Sequence, residues 1–218
     1  MKKNVKNIEL GIKCCILACF ILSLFFVILY KYVPVYYAPQ MLKPNIQHQW
    51  IALKKISPHL VQAVLASEDY WFLIHNGFNY NNENLSMNRG AQTLCRENRT
   101  ISQQTARAVF LFAGDSYCNK LLESYFTVLI ELVWGKERIM EVYLNSIEMG
   151  NQLFGAEATS QAYYAVSAED LSTFEAAGIA ACLIHPKKLN PCVPDTYILR
   201  RQNKIKSVME DMIEIEWK

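Results

Sequence analysis

The chain has 218 residues, which is enough for one domain of ordinary size together with a short appendage. Its formal net charge of +2 lies too near zero for a typical nucleic-acid-binding protein, because such proteins usually present a strongly basic face. The charge therefore excludes nucleic acid as the expected partner, and the length predicts a single catalytic unit.

One long apolar segment lies near the N-terminus. Residues 14–30 carry no charge and are almost wholly apolar, and a helix of about this length crosses a ~30 Å hydrocarbon core. Four lysines precede the segment and only Lys31 directly follows it, so the positive-inside rule places residues 1–13 in the cytoplasm. A cleaved signal peptide is the alternative, but no small-residue cleavage pattern follows. The sequence therefore favours a single transmembrane anchor.

The chain beyond the anchor divides into a stalk and a folded domain. Residues 31–47 contain three prolines and several tyrosines, which indicates an extended stalk. Residues 48–218 form the predicted domain, in which apolar residues recur with helical spacing. No convincing alternating strand is found, so the prediction is an all-α fold. Within it, residues 79–98 are polar and asparagine-rich, and we interpret them as a long mobile loop.

Capping residues predict where most helices of the domain begin. The predicted helices are 58–69 after Ser57, one ending near 112 after the capping-box pattern of Thr100 and Gln103, 117–134, 136–148, an alanine-rich helix after Ser172 that ends before Pro186, and a terminal helix after Asp195 or Thr196.

Glu68 is the leading candidate for acid–base chemistry. It ends an apolar helical stripe and precedes Trp71 and Phe72, so apolar neighbours would desolvate the carboxylate and raise its pKa toward a range useful for proton transfer. An exposed acid at a helix end is the alternative, and periodicity does not separate the two. His75 is expected to fix a turn by hydrogen bonding.

The helix predicted over 117–134 carries a second carboxylate, Glu123. Lys120 lies one turn before it, and an ammonium beside a carboxylate suits the binding and departure of a phosphate ester. A solvated surface ion pair worth well under ~1 kcal/mol is the alternative. The apolar side of the same helix is assigned to Leu121, Leu122, Tyr125, Leu129 and Leu132.

Polar residues cluster at the start of the helix that follows Thr100. Free backbone N–H groups at a helix start favour an anion, and Arg107 adds a cation with bidentate geometry. We therefore predict an oxyanion cradle that binds substrate through Ser102, Gln103, Gln104 and Arg107, together with Lys120. Taken singly, each of them is also explained as an ordinary polar helix residue.

No motif for a metal or a nucleotide accompanies these residues. Three of the seven cysteines lie in the apolar segment, and the others show neither CxxC nor Cys/His spacing, so no metal site is predicted. A nucleotide-type phosphate loop is absent, so a bound phosphate need not belong to a nucleotide. No disulfide pairing is assigned, and no catalytic part is expected, for Cys95, Cys118, Cys182 and Cys192.

Five blocks of the sequence resemble, in order and spacing, glycosyltransferase family 51, and most closely its monofunctional biosynthetic peptidoglycan transglycosylases. The resemblance covers nearly all of residues 50–205, and its blocks are AVLASEDYWFLIHNGF, RTISQQTARAVFL, NKLLESYFTVLIE, KERIMEVYLN and GNQLFGAEATSQAYY. It implies a lysozyme-like helical glycosyltransferase domain behind the single N-terminal transmembrane helix, on the periplasmic face of a bacterial inner membrane. The implied activity is polymerisation of lipid II into glycan strands.

The resemblance also implies roles for the candidate residues. Glu68 would be the general base that deprotonates the 4-hydroxyl of an incoming lipid-linked disaccharide. Glu123 corresponds to the family's second essential glutamate, which assists departure of undecaprenyl diphosphate directly or through a divalent cation such as Mg²⁺. The diphosphate contacts would be Gln103, Gln104, Arg107 and Lys120. Implied partners are lipid II, the growing strand, the membrane and other cell-wall synthesis and division proteins.

Some positions depart from the family pattern near the expected diphosphate site. Residues 97–99 replace a small-residue stretch and remove a serine, Asn119 stands where an arginine is usual, and Ala108 and Val166 replace an asparagine and a lysine. Some phosphate affinity would then be lost, and Arg99 would supply a cation from a neighbouring position. Both glutamates remain, so activity is still expected.

Two alternatives come from other functional classes. The first is a non-catalytic relative that binds lipid II as a scaffold, which the altered cradle suggests. The second is a lysozyme-like enzyme that cleaves glycan, since such enzymes also rely on one dominant glutamate. Glycan cleavage would need neither the cationic cradle nor a membrane anchor.

Overall fold

The computed structural model describes residues 2–79, 99–114, 116–212 and 217, and these residues are mostly helical. The predicted loop over 79–98 lies outside them except for its first residue, as does Cys95. The helices are α1 Lys2–Tyr32, α2 Pro58–Glu68, α3 Ile101–Phe110, α4 Tyr117–Val133, α5 Lys136–Ser146, α6 Ala156–Tyr164, α7 Thr173–Cys182 and α8 Thr196–Glu210.

Two compact units divide the chain, and the first ends at Pro34. It consists of α1, whose stretch Glu9–Tyr32 is 24 residues long and by length and composition apolar enough to cross a membrane. The helix is consistent with the predicted single-pass anchor over 14–30, although it begins earlier and ends later than those bounds. Which end of it faces the cytoplasm stays a prediction.

The second unit begins at Val35, inside the predicted stalk. Val35, Ala38 and Met41 are buried in this unit, and a 3₁₀ turn covers Pro39–Met41. The extended stalk over 31–47 is therefore wrong for much of its length. Apolar side chains between the prolines lose contact with water by packing, and that gain outweighs the freedom of an extended chain.

A small three-stranded sheet corrects the expectation that no strand is present. Its strands are β1 Gln47–His48, β2 Glu148–Gly150 and β3 Leu153–Phe154, with β3 in the middle. β1 pairs with β3 in parallel, and β2 pairs with β3 antiparallel. Strands of two or three residues are too short to show alternation. The helix predicted over 136–148 ends at Ser146, because Ile147 is extended and Glu148 begins β2.

The alanine-rich helix α7 lies at the centre of the second unit and packs against α2 and α8. All of its residues from Ala176 to Cys182 are buried. Small side chains allow this close packing, since a Cβ added at Gly178 would come within 2.8 Å of the Tyr164 hydroxyl oxygen. Burial, with a smaller contribution from the nearby Asp195 carboxylate, raises the pKa of the Cys182 thiol to about 12. A thiol with a raised pKa is mostly protonated at neutral pH and is a poor nucleophile.

Helix α4 does not bury the side that its sequence suggests. The residues buried along it are Glu123, Thr127 and Ile130. Leu121 and Leu132 are 72% and 78% exposed, and Leu122 is also exposed. The apolar side assigned from periodicity therefore faces largely outward, because the opposite side, which carries Glu123, packs on α3.

Candidate active site

Glu68 is the last residue of α2, the helix predicted over 58–69 from its Ser57 cap. The Ser57 side chain accepts a hydrogen bond from His59 N, as the cap requires, and donates one to the Leu171 carbonyl. Glu68 therefore sits at the end of a helix whose start is fixed to the core. Its side chain is 14% exposed, so the carboxylate is neither fully buried nor free in solvent.

Polar groups, and not only apolar ones, surround the Glu68 carboxylate. Gln104 Nε2 on α3 donates to Glu68 Oε2 at 3.2 Å, and Arg201 Nη2 on α8 lies 4.0 Å from Oε1. The Tyr143 hydroxyl donates to Gln104 Oε1 at 3.5 Å. The Glu68 carboxylate is therefore oriented by a hydrogen bond from α3 and lies near a cation on α8.

Arg201 was missed by the sequence interpretation. Its side chain is only 6% exposed, and it belongs to the buried stripe of α8. That stripe has helical spacing and consists of Ile198, Arg201, Gln202, Ile205, Val208 and Met209. A charged residue within an otherwise mostly apolar stripe was the signal that could have identified it, because buried charges are nearly always paired.

Asp69, next to Glu68, fixes the segment between α2 and α3. Asp69 Oδ2 accepts hydrogen bonds from the backbone N of Ile101 and from His75 Nε2, both at 2.9 Å. Gly77 N donates to His75 Nδ1 at 3.1 Å, which assigns the ring proton to Nε2. Thr100 Oγ1 donates to the Gly77 carbonyl at 2.6 Å. The expectation that His75 fixes a turn by hydrogen bonding is confirmed.

The start of α3 is closed by side chains instead of being free to bind an anion. Thr100 and Gln103 form the predicted capping box, in which each side chain accepts from the other residue's backbone N–H. The Asp69 carboxylate accepts the hydrogen bond from the Ile101 backbone N–H. The anion at this helix start is thus a carboxylate of the chain itself, and the prediction of an open N-terminus is wrong.

We expect Asp69→Ala to destabilise the chain by about 2–4 kcal/mol, because it removes two hydrogen bonds and leaves a buried backbone N–H unsatisfied. Chemical unfolding of the detergent-purified full chain, followed by tryptophan fluorescence, measures the change. The exposed Asp170→Ala is the matched control and should leave the unfolding midpoint in place. Equal midpoints for the two variants would show that Asp69 does not hold this segment.

Glu123 on α4 is held by two arginines. Arg107 Nη1 donates to Glu123 Oε2 and Arg99 Nε donates to Oε1, each at 3.1 Å. Arg107 Nη2 also donates to the Gly114 carbonyl at 2.7 Å. The Glu123 side chain is 6% exposed, so the alternative of a solvated surface pair with Lys120 is wrong. Lys120 is exposed, and its Nζ lies 5.7 Å from the centre of the Tyr117 ring.

The remaining predicted residues divide between the site and the core. Gln104 and Arg107 face the two glutamates, whereas the Gln103 side chain is engaged in the capping box. Ser102 is fully buried, and its hydroxyl donates to Glu131 Oε1, which also accepts from Lys136 Nζ. A hydroxyl without solvent access does not meet substrate, so the structure corrects the prediction that Ser102 binds it.

The residues around Glu123 do not fit a divalent cation held by the protein. Mg²⁺ takes six oxygen ligands, of which usually one or two are protein carboxylates and the others are waters and substrate phosphates. In the described part of the chain, no three His, Cys, Asp or Glu side chains converge on one point. Both Glu123 oxygens accept hydrogen bonds from guanidinium groups, whose positive charge repels a metal ion.

Comparison with known proteins gives a consistent result. A family model described as Transglycosylase matches residues 38–212. A biosynthetic peptidoglycan transglycosylase of Bacteroides thetaiotaomicron is 45% identical over 195 residues, which cover 81% of this chain and 76% of the relative. Relatives of the same name from Caulobacter vibrioides and Shewanella oneidensis are 45% and 38% identical, over 74% and 80% of this chain and 71% and 75% of their own lengths.

Proposed function

The chain belongs to the transglycosylase family, and on that premise we propose that it polymerises lipid II into β-1,4 glycan strands with release of undecaprenyl diphosphate. The family match spans both candidate glutamates and all the residues around them. Its relatives carry the name of peptidoglycan transglycosylases, which is the activity proposed here.

One observation supports the division of roles between the glutamates. Gln104 and Arg107 lie three residues apart on α3 and so share one face of that helix. Gln104 contacts Glu68, and Arg107 contacts Glu123. A single helix therefore positions a carboxylate for proton transfer beside a cationic group suited to a diphosphate.

The reaction then follows from these positions. Glu68 takes the proton of the 4-hydroxyl on the incoming disaccharide, and the hydroxyl oxygen attacks the anomeric carbon of the growing strand. The bond from that carbon to the diphosphate oxygen breaks, and the diphosphate leaves with the electron pair. Arg107, supported by Glu123, stabilises the charge that develops on the leaving group. Attack opposite to the leaving group inverts the anomeric centre and gives a β-1,4 link.

The N-terminal helix supports a location at the membrane. Both substrates carry polyprenyl tails, so a tethered domain searches a surface instead of a volume. We place α1 in a bacterial inner membrane with the second unit in the periplasm, where it meets lipid II and the growing strand. Other cell-wall synthesis and division proteins are proposed as further partners.

A polymerisation assay tests this function directly. We expect the detergent-purified full chain to convert fluorescent lipid II into a ladder of long products, which a muramidase cleaves because their links are β-1,4. A scaffold would bind lipid II and give no polymer, and a glycan-cleaving enzyme would solubilise finished cell wall without using lipid II. Neither alternative is favoured, because the family model and the curated relatives are those of peptidoglycan transglycosylases.

A further inference from the structure

Exposed aromatic and apolar side chains lie at the start of the second unit. Tyr36, Tyr37 and Leu42 are 54%, 82% and 66% exposed. Ala38 and Met41 fill the core side of the same segment, so its other side faces outward. Large apolar surface of this kind, when it is grouped in one short segment, marks a place where a partner or a membrane is contacted.

The backbone of this segment is already fixed to the rest of the second unit. Gln40 Nε2 donates to the Arg107 carbonyl at 3.2 Å, and the 3₁₀ turn Pro39–Met41 packs on α3. The Tyr36 ring also lies 6.4 Å from the Trp50 ring, measured between ring centres. The exposed side chains are therefore presented by an ordered backbone, and a partner binds them without the cost of ordering a loop.

A small cluster of charges continues this surface. Lys43 directly follows Leu42, and its Nζ lies 3.1 Å from Glu148 Oε2, while Lys187 Nζ lies 3.7 Å from the same oxygen. The Glu148 side chain is 14% exposed, compared with 39% and 62% for the two lysines, so the ammonium groups are its outer members. Two lysines carry +2 and Glu148 carries −1, which gives a net charge of +1 for the three side chains. An anionic surface complements this charge.

The position of the segment in the chain favours a lipid surface as that partner. Helix α1 ends at Tyr32, and Tyr36 follows four residues later. A chain spans at most ~3.6 Å per residue, so Tyr36 lies within about 14 Å of the point where the chain leaves the bilayer. Tyrosine is favoured at the interface between lipid and water, and lysine is attracted to anionic headgroups.

We propose that the second unit binds the surface of a bilayer that contains anionic phospholipids. The contact is made by a juxtamembrane patch, which consists of Tyr36, Tyr37, Leu42, Lys43 and Lys187. Its apolar side chains enter the interfacial zone, and its lysines face the headgroup phosphates. This contact is separate from insertion of α1 and adds a preference for anionic lipid. It rests on the membrane location proposed above and does not depend on polymerisation.

Hydrogen exchange of the full chain in nanodiscs, measured without lipid II, tests the patch. One set of nanodiscs contains phosphatidylcholine alone, and the other contains equal parts of phosphatidylcholine and phosphatidylglycerol. We expect the backbone amides of residues 36–43 to exchange about fivefold more slowly in the anionic set, which is the effect of one net positive charge beside an anionic surface. Lys43→Gln brings the net charge of the cluster to zero and should abolish the difference. Arg200→Gln removes a charge from an exposed position on α8 and should keep it.

A second variant tests the aromatic part of the patch. Tyr37→Ser should raise the exchange rate of the same amides in both sets of nanodiscs, because an interfacial tyrosine acts without charge. Tyr197→Ser, at a position on α8 that is 55% exposed, is the matched control and should change neither rate.

Three results would overturn the inference: equal exchange of wild type in the two lipids, a difference that Lys43→Gln keeps in full, or rates that Tyr37→Ser leaves unchanged. Each is distinguishable from a failure of the proposed function, because lipid II is absent from the exchange measurement. An absence of polymer in the lipid II assay would reject the polymerase and leave the lipid contact in place.

Discussion

Glu68→Gln is expected to lower the rate of lipid II polymerisation by ~10³-fold, within the range that general base catalysis contributes. Glutamine has nearly the same shape and keeps an oxygen that can accept the hydrogen bond from Gln104 Nε2. It cannot take a proton from the sugar hydroxyl. The variant should therefore remain folded and lose the chemical step, because that step alone depends on the carboxylate.

Initial rates with fluorescent lipid II measure this effect, and a separate binding assay reports whether the substrate still docks. We expect lipid II affinity to change less than about threefold, since the general base acts mainly in the transition state. Glu169→Gln changes an exposed glutamate in the same way and serves as the control. Equal rates for wild type and Glu68→Gln would remove the general-base role from this residue.

Features that depend on nearby residues were predicted best. The capping boxes at Thr100 and Ser172 and the caps at Ser57 and Asp195 are all present, because a cap requires only side chains within three residues of the helix start. The mostly helical, lysozyme-like fold is also confirmed, by the helices of the structure and by the family match. Helix α6 was not predicted, although it begins after Gly155, whose φ of 84° suits a helix start without a side-chain cap.

The buried face of a helix, and the side-chain pairs formed between distant helices, were predicted less well. Periodicity located an apolar side on α4 but did not reveal that Glu123 lies on the buried side. Arg107 lies sixteen positions before Glu123, and Arg201 lies far along the chain from Glu68, so only the folded chain brings each pair together. Such pairings are set by tertiary packing, which local sequence does not encode. The catalytic and binding roles of these residues stay predictions.

Arg107→Lys should lower kcat/KM for lipid II by about 100-fold, although it keeps the positive charge. The Arg107 guanidinium joins Glu123 Oε2 to the Gly114 carbonyl through two different nitrogens. An ammonium on a shorter side chain cannot make both contacts in that geometry. Losing one or two hydrogen bonds made by a charged group, at about 1.5–3 kcal/mol each, lowers kcat/KM by roughly 10-fold to 100-fold or more.

The distribution of the loss between kcat and KM tells what Arg107 does. If it stabilises the departing diphosphate, kcat falls because the added negative charge appears only in the transition state. If it only holds the ground-state substrate, KM rises while kcat stays unchanged. We expect the first result, because Arg107 is largely buried and its guanidinium is held by both Glu123 and the Gly114 backbone. Arg200→Lys, on the exposed side of α8, is the matched control. If Arg107→Lys had the same kcat/KM as Arg200→Lys, positive charge alone would suffice at position 107.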